Sequence, residues 1–333
     1  MRAESMTMDQ STDGGPVASE SSLLGSGKFL LVMGLITLVA YFAPFVIVRA
    51  PFYEQKLGDF WGPALEYGFG GKSVDADVVV FGDSSAIFGF SPREVEEATG
   101  LKVVNLPNTL GSLPVTQDYA LERYLQHNRP PKLIVFYFSA WLLDYSHDPQ
   151  NGFVFEGEEM LMRHGTWSEI ASYFKRNPVS VLEFPLRFYS TVPTSVVHSM
   201  MLHRPGIDTV AAAHGHVDHD GSGGVMREGC ILPTALITPK ASASAEELLQ
   251  KYRNGQTQTV LYIAPVPACA GSAALFSRSY LNGLVRLPGS LPPNCFVDDG
   301  FYAHERPEAL TRSTQLLMEA LQPVIGGMKA GPG

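Results

Sequence analysis

Cysteine is scarce in this chain: Cys230, Cys269 and Cys295 are the three in 333 residues, and no Cys-x-x-Cys pair occurs. That removes a thiolate zinc site and dithiol redox chemistry from the candidate functions. One disulfide at most can form, leaving one thiol over; Cys269 and Cys295 border predicted core strands and are candidates to lie close together, and the count alone does not fix the compartment. Basic clusters are also missing, and with a formal net charge of −9 the chain has no electrostatic footprint for nucleic acid. There is no internal repeat. A phosphate loop is excluded because Glu66 stands where the first glycine before Gly71-Lys72-Ser73 belongs, and a G-x-S-x-G elbow is excluded because residue 86 is Ala.

What the chain has in quantity is apolar sequence, 45% of it hydrophobic, including one uninterrupted run. Residues 29–48 carry no charge, lie between Lys28 and Arg49, and are long enough to cross the hydrocarbon core of a bilayer. A cleaved signal peptide fits less well, since the run exceeds an h-region and no small-x-small site follows. A buried globular helix is the remaining alternative. Pro44 introduces a kink that membrane helices tolerate. Arg2 and Lys28 on one side balance Arg49 and Lys56 on the other, so the basic-residue rule does not orient the span. The sequence therefore divides into a Ser- and Gly-rich disordered tail (1–27), a membrane helix (28–49), a juxtamembrane connection (50–76), a main domain (77–322) and a flexible tail (323–333).

Within the main domain, β-type and helical patterns alternate. Strands are predicted at 78–81, 102–105, 132–138, 259–264 and 295–297, and helices near 92–98, 115–126 and 307–321. This order is α/β: a three-layer α/β/α sandwich around a mostly parallel, flavodoxin-like sheet, preceded by one transmembrane helix. Residues 141–256 are too long for a connection and read as an insertion that covers or shapes the site. Within it, 167–189 reads as amphipathic helix. Trp141, Trp167, Phe174, Phe184, Phe188 and Tyr189 could stack on a glycan, but such spacing more often marks core. His214, His216, His219, Asp218 and Asp220 resemble a metal-ligand group, yet on a glycine-rich polar loop they read as solvated, and no metal or cofactor is expected.

The segment with the most chemistry is Val78-Val79-Val80-Phe81-Gly82-Asp83-Ser84-Ser85. An apolar run ending at a glycine places the Ser84 hydroxyl at the carboxyl end of a parallel strand, where open α/β sheets bind ligands. The alternative is that Asp83 and Ser84 only cap a helix. Serine needs a base to act as a nucleophile, usually a histidine oriented by a third group. His304, in Asp298-Asp299-Gly300-Phe301-Tyr302-Ala303-His304, precedes the last helix, and its loop is expected at the same sheet edge.

Gly82-Asp83-Ser84 after the first strand, with Asp298 or Asp299 before His304, resembles the SGNH or GDSL-type hydrolases. A glycine after the second strand is matched by Gly111. The chain departs from that pattern in two places: Phe301 stands where the family usually has the Asp of Asp-x-x-His, and Ser139-Ala140-Trp141 supplies no Asn after the third strand. The resemblance implies a serine nucleophile (Ser84), a base (His304), an orienting acid (Asp299 or Asp298), and an oxyanion site from the N–H groups of Ser84 and Gly111, helped by Asn108. Loss of one oxyanion donor costs roughly 3 kcal/mol, which points to slow or narrowly tuned chemistry. It further implies a bacterial, single-pass inner-membrane esterase or O-acyltransferase with a periplasmic domain, acting on ester-linked acetyl or other acyl groups of an exopolysaccharide or cell-wall glycan, beside polysaccharide synthesis or acyl-transfer membrane proteins. The rival expectation is a catalytically weak or inactive SGNH-like module that binds glycan or scaffolds such a complex.

Overall fold

The computed structural model describes residues 20–53, 61–70, 74–109, 111–140, 154–201, 206–221, 223–232, 243–270 and 289–329. Most of the 1–27 tail, Arg2, Lys56 and Trp141 lie outside them. The chain forms two compact units, Met1–Pro44 and Phe45–Gly333. The described part of the first is helix: α1 spans Glu20–Ile47 with Pro44 inside it, and Gly27–Ile47 is long and apolar enough to cross a membrane.

In the second unit the segment assigned to a connection is built into the core. Helix α2 (Gly62–Phe69) buries seven of its eight residues, and its Glu66 receives hydrogen bonds from Arg163 (2.8 Å) and pairs with His164 (2.9 Å). A charge this deep persists because it is paired.

The sheet follows from four runs of β-branched and aromatic residues. Strand β1 is Val78–Gly82, β2 Val103–Pro107, β3 Leu133–Phe138 and β4 Gln258–Ile263. All are parallel, in the order β2-β1-β3-β4. Alternation sends Val79, Phe81, Ile134 and Phe136 to one apolar cluster and Val78, Val80, Val135 and Tyr137 to the other, so both faces are covered.

Short helices follow the strands: α3 (Ser84–Phe88) and α4 (Pro92–Thr99) after β1, then α5 (Leu113–Thr116) and α6 (Tyr119–His127) after β2. The sequence predicts one helix at 115–126, but the backbone breaks at Gln117, whose φ is +49°. On one side of the break Asn108 Nδ2 donates to Thr116 Oγ1 (3.1 Å); on the other Asp118 accepts from Tyr252 (2.7 Å) and Lys251 (2.8 Å).

The described residues of the insertion between 154 and 212 are mostly helical: α7 (Val154–His164), α8 (Trp167–Arg176), α9 (Pro178–Met201) and α10 (Ile207–Ala212). Helix α11 (Ala243–Tyr252), within the range assigned to it, leads directly into β4. Of the aromatic residues offered for glycan stacking, Phe184 and Phe188 are buried core and Phe174 packs against it, whereas Trp167 and Tyr189 are exposed.

Three further expectations change. Residues 295–297 do not extend the main sheet; Phe296 and Val297 form isolated antiparallel bridges to Glu305 and Val225, while the small pair β5 (Val266–Pro267) and β6 (Ser290–Leu291) stands apart. The final helix α12 runs Leu310–Lys329, through most of the segment assigned to a flexible tail, because Ile325 continues the apolar face of Leu317 and Leu321. The disulfide joins Cys230 to Cys269, and Cys295 is left as the free thiol.

Candidate active site

The turn bearing Ser84 is fixed by close packing. A Cβ on Gly82 would come within 1.7 Å of the Tyr137 carbonyl oxygen, so only glycine lets β1 and β3 meet here. Next, Asp83 caps α3. Its fully buried carboxylate accepts from Ser85 N–H (2.9 Å) and the Ser85 hydroxyl, and from Ser139 N–H (2.9 Å) and Oγ (3.1 Å). Burial pushes this carboxyl up, against the pull of those donors. Asp83 thus ties the exits of β1 and β3 together, and Ser139, standing where an asparagine is usual in the resembled pattern, serves this bracing.

Ser84, first residue of α3, is left facing outward, and its Oγ lies 2.7 Å from His304 Nε2. His304 Nδ1 is hydrogen-bonded to Asp299 Oδ2. The long Asp–His spacing closes because Gly300 (φ +83°) and Tyr302 (φ +56°) are left-handed and fold the loop back. Two further bonds brace it: Phe301 N–H donates to Asp299 Oδ1 (2.9 Å) and Val297 N–H to the His304 carbonyl (3.0 Å). Burial opposes the Asp299 charge, but the His304 hydrogen bond and charge outweigh it and hold the carboxyl below the usual range. Asp298 is exposed and meets Gly224 only through its backbone N–H, so of the two acids Asp299 is the one that faces the histidine.

Ser84, Gly111 and His304 line a small, open pocket together with Trp61, Thr109, Glu156 and Phe301. The N–H groups of Ser84 and Gly111 have no hydrogen-bond partner among the described residues. Asn108 does not join them. Its side chain is spent inside the loop, donating to Thr116 and accepting from Thr109 N–H (3.0 Å) and Ser112 Oγ, so it shapes the Gly111 turn without reaching the pocket.

Four pocket residues carried no sequence signal. Glu156 accepts from Trp61 Nε1 (3.1 Å) and Thr109 Oγ1 (3.0 Å), which puts a carboxylate in the pocket wall. It arrives there because Gly157 lets α7 approach the Ser112 backbone and the Val115 side chain, each 2.8 Å from where a Cβ would stand. Phe301 flanks the His304 ring at 5.3 Å.

The histidine-rich loop is not a solvated group. His214 pairs with Glu96 (3.1 Å) and His216 with Asp218 (3.2 Å), but His219 is buried beside the site, its Nε2 4.0 Å from Asp299 and its ring on Phe88. Gly221 N–H donates to His219 Nδ1 (3.0 Å), so the neutral ring carries its proton on Nε2, toward Asp299. Burial, aided by His304, lowers this imidazole to about 4. His219, Asp299 and His304 are near enough to hold a metal ion, though two of them already serve Ser84.

Comparison of the chain with protein-family models, with curated proteins and with solved structures finds no match.

Proposed function

We propose that this chain is a membrane-anchored serine esterase or O-acyltransferase of the SGNH type. The observation that carries the reading is the relay from Ser84 Oγ through both nitrogens of His304 to Asp299. In the reaction Ser84 attacks an ester carbonyl as His304 Nε2 takes its proton. Asp299 holds the tautomer and stabilises the imidazolium, and the N–H groups of Ser84 and Gly111 face the developing oxyanion. His304 returns the proton to the departing alcohol. The acyl-enzyme is then resolved by water, giving hydrolysis, or by a sugar hydroxyl, giving transfer.

Several observations support the finer parts. The parallel order β2-β1-β3-β4 with both faces covered supports a three-layer, flavodoxin-like sandwich. The small pocket favours a short acyl group such as acetyl, and Glu156 offers an acceptor for a hydroxyl while repelling anionic acyl chains. The Cys230–Cys269 disulfide favours an oxidising compartment, hence a periplasmic domain held by α1 at a bacterial inner membrane. An extracellular glycan as substrate, with polysaccharide synthesis or acyl-transfer membrane proteins beside it, follows from the family resemblance.

A second reading has its own observation. Ser139 stands where the resembled pattern has an oxyanion asparagine, and its hydroxyl is committed to Asp83. A module that binds glycan or scaffolds a secretion complex without turnover would be built this way. Labelling the detergent-solubilised full chain with a fluorophosphonate probe separates the two. The enzyme labels and hydrolyses 4-nitrophenyl acetate, and Ser84→Ala does neither; a wild-type chain inert to both is the binding module.

A further inference from the structure

Helix α9 has two apolar faces, and among the described residues only one is covered. Inward, Phe184 and Phe188 are buried, and they hold the chain just after Pro44: the Phe184 ring lies 5.0 Å from Phe45, and Phe188 stacks on Tyr53 at 5.9 Å. Outward, Val179, Leu182, Leu186, Tyr189, Pro193 and Val197 recur at three- and four-residue steps, and Leu186 is 69% exposed. That is a helical stripe more than four turns long. The charged residues of α9, Glu183 and Arg187, pair with each other, and Arg187 turns inward to grip Glu158 with two 2.8 Å bonds. The outer stripe is therefore uncharged.

Its margin has the chemistry of a lipid interface. Trp167 is 75% exposed with the Arg49 guanidinium 4.3 Å over its ring, and Lys175 and Arg176 stand exposed where α8 meets α9. Aromatic rings and basic groups flanking an apolar helix face are what the headgroup region accepts.

We infer that the outer face of α9 lies in the bilayer surface, with Trp167, Tyr189, Lys175 and Arg176 at headgroup level. Among the occupants an apolar face could take, the lipid is selected by continuity. Phe45, the first residue of the main unit and part of the same apolar run, packs on Phe184 and Phe174, so within that unit α9 lies against the end of the run. Such a helix would fix the height of the pocket above the membrane and so restrict the substrate to acyl groups presented close to it. The inference rests on α1 spanning the bilayer, and the test reads that separately.

Full-length protein is placed in vesicles of phosphatidylcholine with phosphatidylglycerol. On a Cys295→Ser background, spin labels are introduced singly by Leu182→Cys, Leu186→Cys, Gln315→Cys on exposed α12, and Leu35→Cys in the span. Accessibility to oxygen is compared with accessibility to a water-soluble nickel chelate. Leu182 and Leu186 should show an oxygen-to-nickel ratio several-fold above Gln315. If Leu186 is as open to nickel as Gln315, or is shielded from both reagents as in a protein contact, the inference is overturned. A lipid-like reading at Leu35 in those cases leaves the membrane anchor standing; an aqueous one removes the anchor too.

Discussion

Two turns meet at Ser84 and His304, and they are built in opposite ways. The nucleophile turn is dry and rigid: Gly82 touches β3, and Asp83 spends its carboxylate on four donors in the next strand and its own helix. The base loop is open on one side and obtains its shape from two left-handed residues and an antiparallel clasp. Each contains an aspartate, but burial raises Asp83 while His304 holds Asp299 low. One acid braces the scaffold and the other faces the chemistry; rigidity is placed under the nucleophile and electrostatics under the base.

The sharpest way to break the comparison is at the acids. Asp299→Asn should lower the rate of ester hydrolysis by about 10⁴-fold with little loss of stability, because an amide orients the wrong tautomer of His304. Asp298→Asn should leave the rate unchanged. Steady-state hydrolysis of 4-nitrophenyl acetate checks both, and equal losses at the two positions would remove Asp299 from its role.

The glycines separate the turns by stability instead. Gly82→Ala drives a methyl into the Tyr137 carbonyl, a backbone that cannot yield, and should destabilise by about 3 kcal/mol or more. Gly300→Ala meets nothing within 4 Å and pays only for its positive φ, about 1 kcal/mol, yet it should lower activity by shifting Asp299 from His304. Thermal unfolding followed by near-UV circular dichroism distinguishes a large from a small shift.

The same contrast explains what the sequence revealed. The Ser84 turn was legible because every determinant is local: a β-branched run, a glycine, a cap. His304 was legible from its place before the last helix, whereas the choice between Asp298 and Asp299 depended on φ at Gly300 and Tyr302, which composition does not announce. The pocket wall was hidden for a further reason. Glu156 and Trp61 belong to segments whose position is set by long-range packing, through Gly157 against the Ser112–Val115 turn and through α2 in the core. The loop from His214 to Gly224 read as solvent-facing because it is polar and glycine-rich; Gly215, at φ +96° with its α-carbon pressed on the Asn105 carbonyl, is what lets it enter the core and deliver His219.

His219 gives the smallest expected effect and bears most directly on the base loop. In the unfolded chain its imidazole takes a proton near 6.5, but in the folded chain it resists until about 4. Between those values the unfolded state binds more protons at this residue, so the stability contributed by His219 should fall as pH is lowered through that window and be fully present above it. Asp299 titrates in a separate range: its folded carboxyl is depressed, so its contribution is lost only below the ordinary carboxylate value of 3.8. His219→Asn keeps an acceptor for Gly221 N–H and cannot titrate. It should remove the His219 contribution from the pH dependence of the unfolding temperature between pH 6.5 and 4 and leave the loss at lower pH in place. An unchanged slope would mean that the buried imidazole is not what makes this side of the site acid-sensitive, and that the base loop is held by the Asp299 and Val297 contacts alone.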